Sequence, residues 1–105
     1  MTAASFGSLV LAARAPTGWV YLGNVGTGFT AAARRQLRQR LDTLAVGVSP
    51  FESAPQRREL RAARWVRAEL VATIEYREYT GAGLRHPSWR GLRNDISPED
   101  VRLPE

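Results

Sequence analysis

Residues 70 to 92 read Leu70-Val-Ala-Thr-Ile-Glu-Tyr-Arg-Glu-Tyr-Thr-Gly-Ala-Gly-Leu-Arg-His-Pro-Ser-Trp-Arg-Gly-Leu92. Over the first half, Leu70, Ala72, Ile74 and Tyr76 alternate with Val71, Thr73, Glu75, Arg77 and Tyr79, the two-residue period of a strand with one face on a core. The alternation predicts that 64 to 79 forms the longest strand. Thr80-Gly-Ala-Gly83 then supplies a hairpin turn, and Leu84 to Leu92 returns as a further strand. That strand is bent or edge-placed, because Pro87 has no N–H to give a ladder.

Working outward, Ser8 to Ala13 is an apolar run, Pro16-Thr17-Gly18 has turn chemistry, and Trp19 to Val25 is rich in β-branched and aromatic residues, which reads as a second hairpin. Gly26-Thr27-Gly28 breaks the pattern. Thr30 is placed to cap a helix over 31 to 45, with Ala33, Leu37, Leu41 and Leu44 on its apolar face. Arg34, Arg35, Arg38 and Arg40 decorate its other faces as a solvated surface, with Arg38 and Asp42 an i, i+4 pair worth about 0.3 kcal/mol. Residues 47 to 63 read as a long connection. One or two short strands are possible around Arg64 to Val66, and Ser97-Pro-Glu-Asp100 starts a short closing helix. This inventory predicts an all-β fold, a small closed β-barrel with one main helix, and the OB-fold is the common barrel of that size that handles oligonucleotides. We expect one domain over 1–105, with a flexible N-terminus at 1–5 and an acidic tail at 94–105.

The 105 residues include 15 basic side chains, all Arg, against 10 acids, with one His and no Cys. Lack of Lys excludes Schiff-base and lysyl-nucleotide chemistry within this chain, and lack of Cys excludes a disulfide framework, a Cys nucleophile or a zinc finger. GC-rich coding accounts for the choice of Arg over Lys, since Ala also reaches fifteen residues. The net charge of +5 nevertheless favours phosphate-rich partners. It is concentrated in 1 to 93, net +8, while 94 to 105 is net −3. The apolar start is about half the length that spans a bilayer, and no membrane association is expected. A cytoplasmic, nucleoid-associated location is the simplest expectation.

Among candidate sites, the glycine segment Gly23 to Gly28 lacks the spacing and the Lys of a phosphate loop, so it reads as a tight turn. His86 has no second ligand residue beside it for a metal, leaving a structural or phosphate-contacting role. Glu75 and Glu78, three apart on a strand, face opposite ways and make a poor acid/base pair. Arg85-His-Pro-Ser-Trp-Arg90-Gly-Leu-Arg93-Asn-Asp95 sets three guanidinium forks in nine residues. That density suits a grip on polyphosphate or a nucleic-acid backbone, and equally an ordinary charged edge strand. Parity puts Arg85 and Arg93 on one face and Arg90 on the other, unless Pro87 shifts the register. Arg57, Arg58, Arg61, Arg64 and Arg67 around Trp65 have the basic and aromatic mixture of a DNA-binding surface, or form a solvated loop with Trp65 tucked into the core.

Three ordered blocks carry a resemblance: Val25 to Phe29 with the Arg-rich helix behind it, Ala63 to Val71, and Leu84 to Asp95. Together they resemble the C-terminal OB domain of ATP-dependent DNA ligases, in particular the bacterial end-joining, ligase D type, over about Phe6 to Arg102. The last block is similar to nucleotidyltransferase motif VI. The resemblance implies that Arg85, Arg90, Arg93 and Asp95 face the ATP β and γ phosphates when this domain closes on a nucleotidyltransferase domain, in cis or in trans. It also implies that another face meets DNA after adenylation, in nick sealing during DNA repair. ATP and Mg2+ then belong to the parent ligase, with no cofactor bound by this domain alone and no catalytic residue or metal ligand of its own. Two departures from the motif stand out, Ile96 where Lys is usual and Asn94 where an acid is usual. They keep open an alternative, a non-catalytic OB-fold scaffold for nucleic acid or protein.

Overall fold

A computed structural model describes residues 7–49, 51, 63–81 and 83–104. The expected flexible 1–5 segment, Arg57, Arg58 and Arg61, and most of the 47–63 connection lie outside the described residues.

Strands β1 (Leu9–Ala15) and β2 (Gly18–Val25) form the expected first hairpin, closed by Pro16 and Thr17. Their register shifts once, Leu11 facing Gly23 and Ala12 facing Tyr21, so Leu22 is the extra residue of a bulge that bends the hairpin around the core. Helix α1 (Ala31–Thr43) starts where Thr30 Oγ1 accepts a bond from the Ala33 amide at 3.0 Å, as its cap position predicts. The helix stops at Thr43 rather than at 45. Ala45 and Val46 (β3) instead find backbone partners in Trp65 and Val66 (β4), and the Leu44 carbonyl accepts from the Arg67 amide at 2.9 Å.

The expected unbroken strand over 64 to 79 is three pieces: β4 (Trp65–Val66), β5 (Val71–Glu75) and β6 (Glu78–Thr80), so the longest strand is β2. Each piece has a different partner. β4 pairs with β3, β5 with β8 (Ser88–Arg93), and β6 with β7 (Gly83–Arg85). The alternating residue types run across all three, but their burial does not: Tyr76, expected on the core side, is exposed. Val71 departs from its expected outward place and is buried. Pro98–Asp100 forms the expected short closing helix, as a single 3-10 turn. It leads Val101 to accept from the Arg14 amide at 3.1 Å, and Arg102 bridges Arg14 in parallel, so residues 101 and 102 meet β1 at Arg14.

Among the described residues the strands therefore pair as four two-stranded antiparallel ladders around one core, not as one continuous closed ladder. Val25, Leu37 and Trp89 form its centre, with Leu9, Leu11, Phe29, Leu41, Leu70, Ala72 and Ile74 packed against them. Leu37 and Leu44 of the predicted helical face are buried. One helix stripe and the inner sides of the ladders meet on Trp89, the residue just before Arg90.

Candidate functional site

β5 to β8 are one long hairpin with a bend. Glu75 faces Ser88 and Glu78 faces Arg85, so the register runs unchanged across the gap, and the Arg77 amide bridges to the Arg85 carbonyl at 2.9 Å. At the bend His86 holds φ at 55°, an uncommon left-handed conformation for a non-glycine residue, and Pro87 follows without a donor. The bent return strand is as expected, and the structure gives His86 a backbone role there.

A second irregularity decides which arginines meet. Ile74 faces Trp89 but Thr73 faces Gly91, so Arg90 is the extra residue of a bulge, and Gly91 follows with φ 134°. The bulge resets the alternation. Trp89 and Leu92 share a side with Ile74 and Ala72, while Arg90 and Arg93 share the other with Glu75. Arg85 lies apart on β7, beyond the bend. The expected pairing of Arg85 with Arg93, and Arg90 opposite, is therefore corrected: the bulge at Arg90 breaks the parity.

Each of these arginines is held by one carboxylate. Arg90 donates to Glu75 at 2.8 Å, Arg93 reaches Asp95 through Nε at 3.1 Å and Nη2 at 2.7 Å, and Arg85 stands 3.4 Å from Glu78. All are exposed pairs of little value to stability. The bond from Arg93, with help from its own backbone amide, holds the Asp95 carboxyl below the usual range, and the carboxylates of Glu75 and Asp95 tighten the protons on Arg90 and Arg93. A guanidinium has five N–H donors. The carboxylates use only part of each fork and leave further N–H donors on each guanidinium.

The strand that carries them is clamped by the glycine turn. The Trp89 amide donates to the Thr27 carbonyl at 2.9 Å, and Thr27 Oγ1 to the Pro87 carbonyl at 3.3 Å. Gly28, at φ 93°, lies so close that a Cβ there would fall 2.5 Å from the Trp89 carbonyl oxygen. The segment is a tight turn, as its missing phosphate-loop residues predict, and Gly28 makes room for close contact with β8. Arg34, expected on a solvated face, instead donates to the Gly26 carbonyl at 2.8 Å and the Gly7 carbonyl at 3.4 Å. Its guanidinium lies 4.8 Å from the Phe29 ring centroid, and that ring stacks on Trp89 at 4.9 Å. The signal available in the sequence was an Arg in the first turn of a helix entered through a glycine turn and a Phe.

In the second cluster, Arg64 and Arg67 are exposed, Arg67 pairs with Glu69 at 3.2 Å, and Trp65 is half-buried. Trp65 meets Phe51 edge-on at 5.8 Å, and Phe51 meets Tyr21 at 6.1 Å. The Trp65 ring is thus committed to packing, and Phe51, placed by the sequence in a plain connection, is a buried part of that packing. Among the described residues no three His, Asp or Glu side chains gather to hold a metal, and no helix is long and apolar enough to cross a membrane.

Comparison with known proteins agrees with this architecture. Residues 2–96 match the family described as ATP dependent DNA ligase C terminal region. The multifunctional non-homologous end joining protein LigD of Mycolicibacterium smegmatis is 43% identical over 96 residues, which are 90% of this chain and 13% of that protein. The Pseudomonas aeruginosa protein of the same name is 39% identical over 82 residues, 77% of this chain and 10% of that protein. This chain thus spans only about an eighth of the length of those relatives. Among solved structures, the ligase domain from M. tuberculosis LigD superposes with a TM-score of 0.83 at 35% identity, over 93% of this chain and 33% of that one. The mycobacterial DNA ligase D complexed with ATP and MES gives 0.81 at 38%, over 90% of this chain and 32% of that one. With the family model matched over residues 2–96, relatives 39–43% identical and a close superposition on part of those ligase domains, the chain has an OB-fold and belongs to the family of ATP-dependent DNA ligase C-terminal regions.

Proposed function

We propose that residues 1–105 work as one OB domain that closes over a nucleotidyltransferase domain, in cis or in trans, and presents Arg85, Arg90, Arg93 and Asp95 to the β and γ phosphates of ATP during ligase self-adenylation. The observation that carries this reading is the bulge of β8, which sets Arg90 and Arg93 on one exposed side, each aimed by a carboxylate. Two forks so placed stabilise the charge that builds on departing pyrophosphate, the electrostatic part of phosphoryl transfer. Asp95 keeps the Arg93 fork in one orientation. The chain has no Lys, so the nucleophile comes from the partner domain. Mg2+, held by the parent ligase, would neutralise phosphate charge there.

In the same reading a second surface, Arg64 and Arg67 with Arg57, Arg58 and Arg61, meets the DNA backbone for nick sealing in repair, at the nucleoid in the cytoplasm. Trp65 is not counted among the DNA contacts, since its ring packs edge-on against Phe51. The competing reading, a non-catalytic scaffold for nucleic acid or protein, is favoured by Ile96, a half-buried apolar residue where the motif usually has Lys.

Adding the chain to a ligase nucleotidyltransferase domain and following AMP transfer to its lysine separates the two. The first reading expects stimulation that Arg93→Ala abolishes while the variant keeps its fold. No stimulation, or stimulation indifferent to Arg93→Ala, would leave the scaffold. DNA affinity should fall steeply with salt and ignore sequence, as backbone contacts require.

A further inference from the structure

We infer that Arg40 of α1 supplies the cation that position 96 lacks, forming with Arg93 a single subsite for the terminal phosphates of a nucleoside triphosphate. The inference rests on the adenylation reading above. It starts from a crevice of about 310 Å³ where the last turn of α1 meets the end of β8, lined by Arg40, Glu69, Arg93, Asn94, Ile96 and Ser97 among others. That space exceeds a single water by an order of magnitude.

Its charges are arranged for an anion. Glu69 is drawn to Arg67 at 3.2 Å, and Arg93 is fixed by Asp95 through two bonds. Arg40, exposed, makes no ion pair among the described residues, although the neighbouring Arg38 is taken by Asp42 at 3.0 Å. Asn94 and Ser97 add an amide and a hydroxyl, both able to donate to phosphate oxygens. Ile96 puts only methyl and methylene groups into the wall where the resemblance implies an ammonium. The helix therefore brings a guanidinium to the crevice from which the motif's own cation is missing, and a fork engages phosphate oxygens in pairs where an ammonium acts as a point charge.

The bland account of Arg40 is a cation near a helix C-terminus, favoured by the helix dipole. Arg40→Lys separates the two, because it keeps the charge and removes the fork.

The experiment titrates tripolyphosphate into the chain at low salt while the Nε–H signals of Arg40 and Arg93 are followed by NMR. Both should shift along one binding curve. Arg40→Ala should weaken the affinity about tenfold and Arg40→Lys less, while Arg35→Ala, an exposed arginine on the same helix, should stay within about twofold. Ile96→Lys should tighten binding, and in that background Arg40→Ala should cost less than it does alone. Equal losses for Arg40→Ala and Arg35→Ala would overturn the subsite. So would a loss seen with a nicked duplex but not with tripolyphosphate, which would make Arg40 a DNA-backbone contact. Trans-adenylation tells the two levels apart. If Arg93→Ala abolishes it and Arg40→Ala does not, the subsite fails and the adenylation reading stands. If neither variant changes it while Arg40→Ala weakens tripolyphosphate, the adenylation reading fails and the subsite stands.

Discussion

Replacing Gly28 by Ala tests whether the glycine turn holds the arginine strand in place. The new Cβ would lie 2.5 Å from the Trp89 carbonyl oxygen and 2.7 Å from both the Trp89 amide nitrogen and Ser88 Oγ. Two of these three atoms are backbone, which cannot rotate away. The φ of 93° adds a conformation that an L side chain adopts at a cost of about 1–3 kcal/mol. Forcing β8 aside adds roughly 1–3 kcal/mol more, as overpacking does. A total near 3 kcal/mol is a large share of the about 5–15 kcal/mol that holds a domain of this size together. At about 4–8 °C per kcal/mol it lowers the melting temperature by more than about 10 °C. Thermal unfolding followed by circular dichroism measures this, with Gly47→Ala as control, since a Cβ at Gly47 meets nothing within 4 Å. The two variants melting within about 2 °C of each other would refute the clamp. Because Trp89 precedes Arg90, the same variant should also disorder the Arg90–Glu75 pair.

Two further outcomes follow from the site. The Asp95 carboxyl titrates below the ordinary range, so the contribution of its pair with Arg93 is present above the unfolded-state pKa and fades as pH falls through the lower folded value; carbon NMR of the carboxyl in Arg93→Ala should show the midpoint return toward that of a free aspartate. Arg34→Met removes the bonds to Gly26 and Gly7 and the charge over Phe29, and should cost about 1–2 kcal/mol in urea unfolding, with a changed near-ultraviolet signal from the Phe29–Trp89 stack. An Arg34→Met protein as stable as the parent would show that the clip contributes nothing.

Features set by neighbours in the chain were legible from residue types alone. Thr30 caps α1 because a hydroxyl reaches an amide three residues on, and Pro16 and Thr17 turn β1 into β2 within a few bonds. The break of the 64 to 79 pattern was not legible, because the alternating residue types run on through all three strand pieces while each pairs with a different strand. Phe51 reads as part of a loop until Tyr21 and Trp65 are placed around it. Arg34 reads as solvated until the turn carbonyls it binds are placed within its reach.

The sequence by itself determined an all-β chain with one amphipathic helix, a positive body without Lys, and three guanidinium groups within nine residues near its end, because composition and short-range periodicity are properties of one segment at a time. Only the tertiary structure decided that Arg90 shares a side with Arg93 rather than opposing it, since a bulge is a mismatch between two strands and neither strand records it alone. It alone also decided that Arg40, fifty-three positions before Arg93, lines the same crevice, because that meeting depends on how α1 docks against the end of β8.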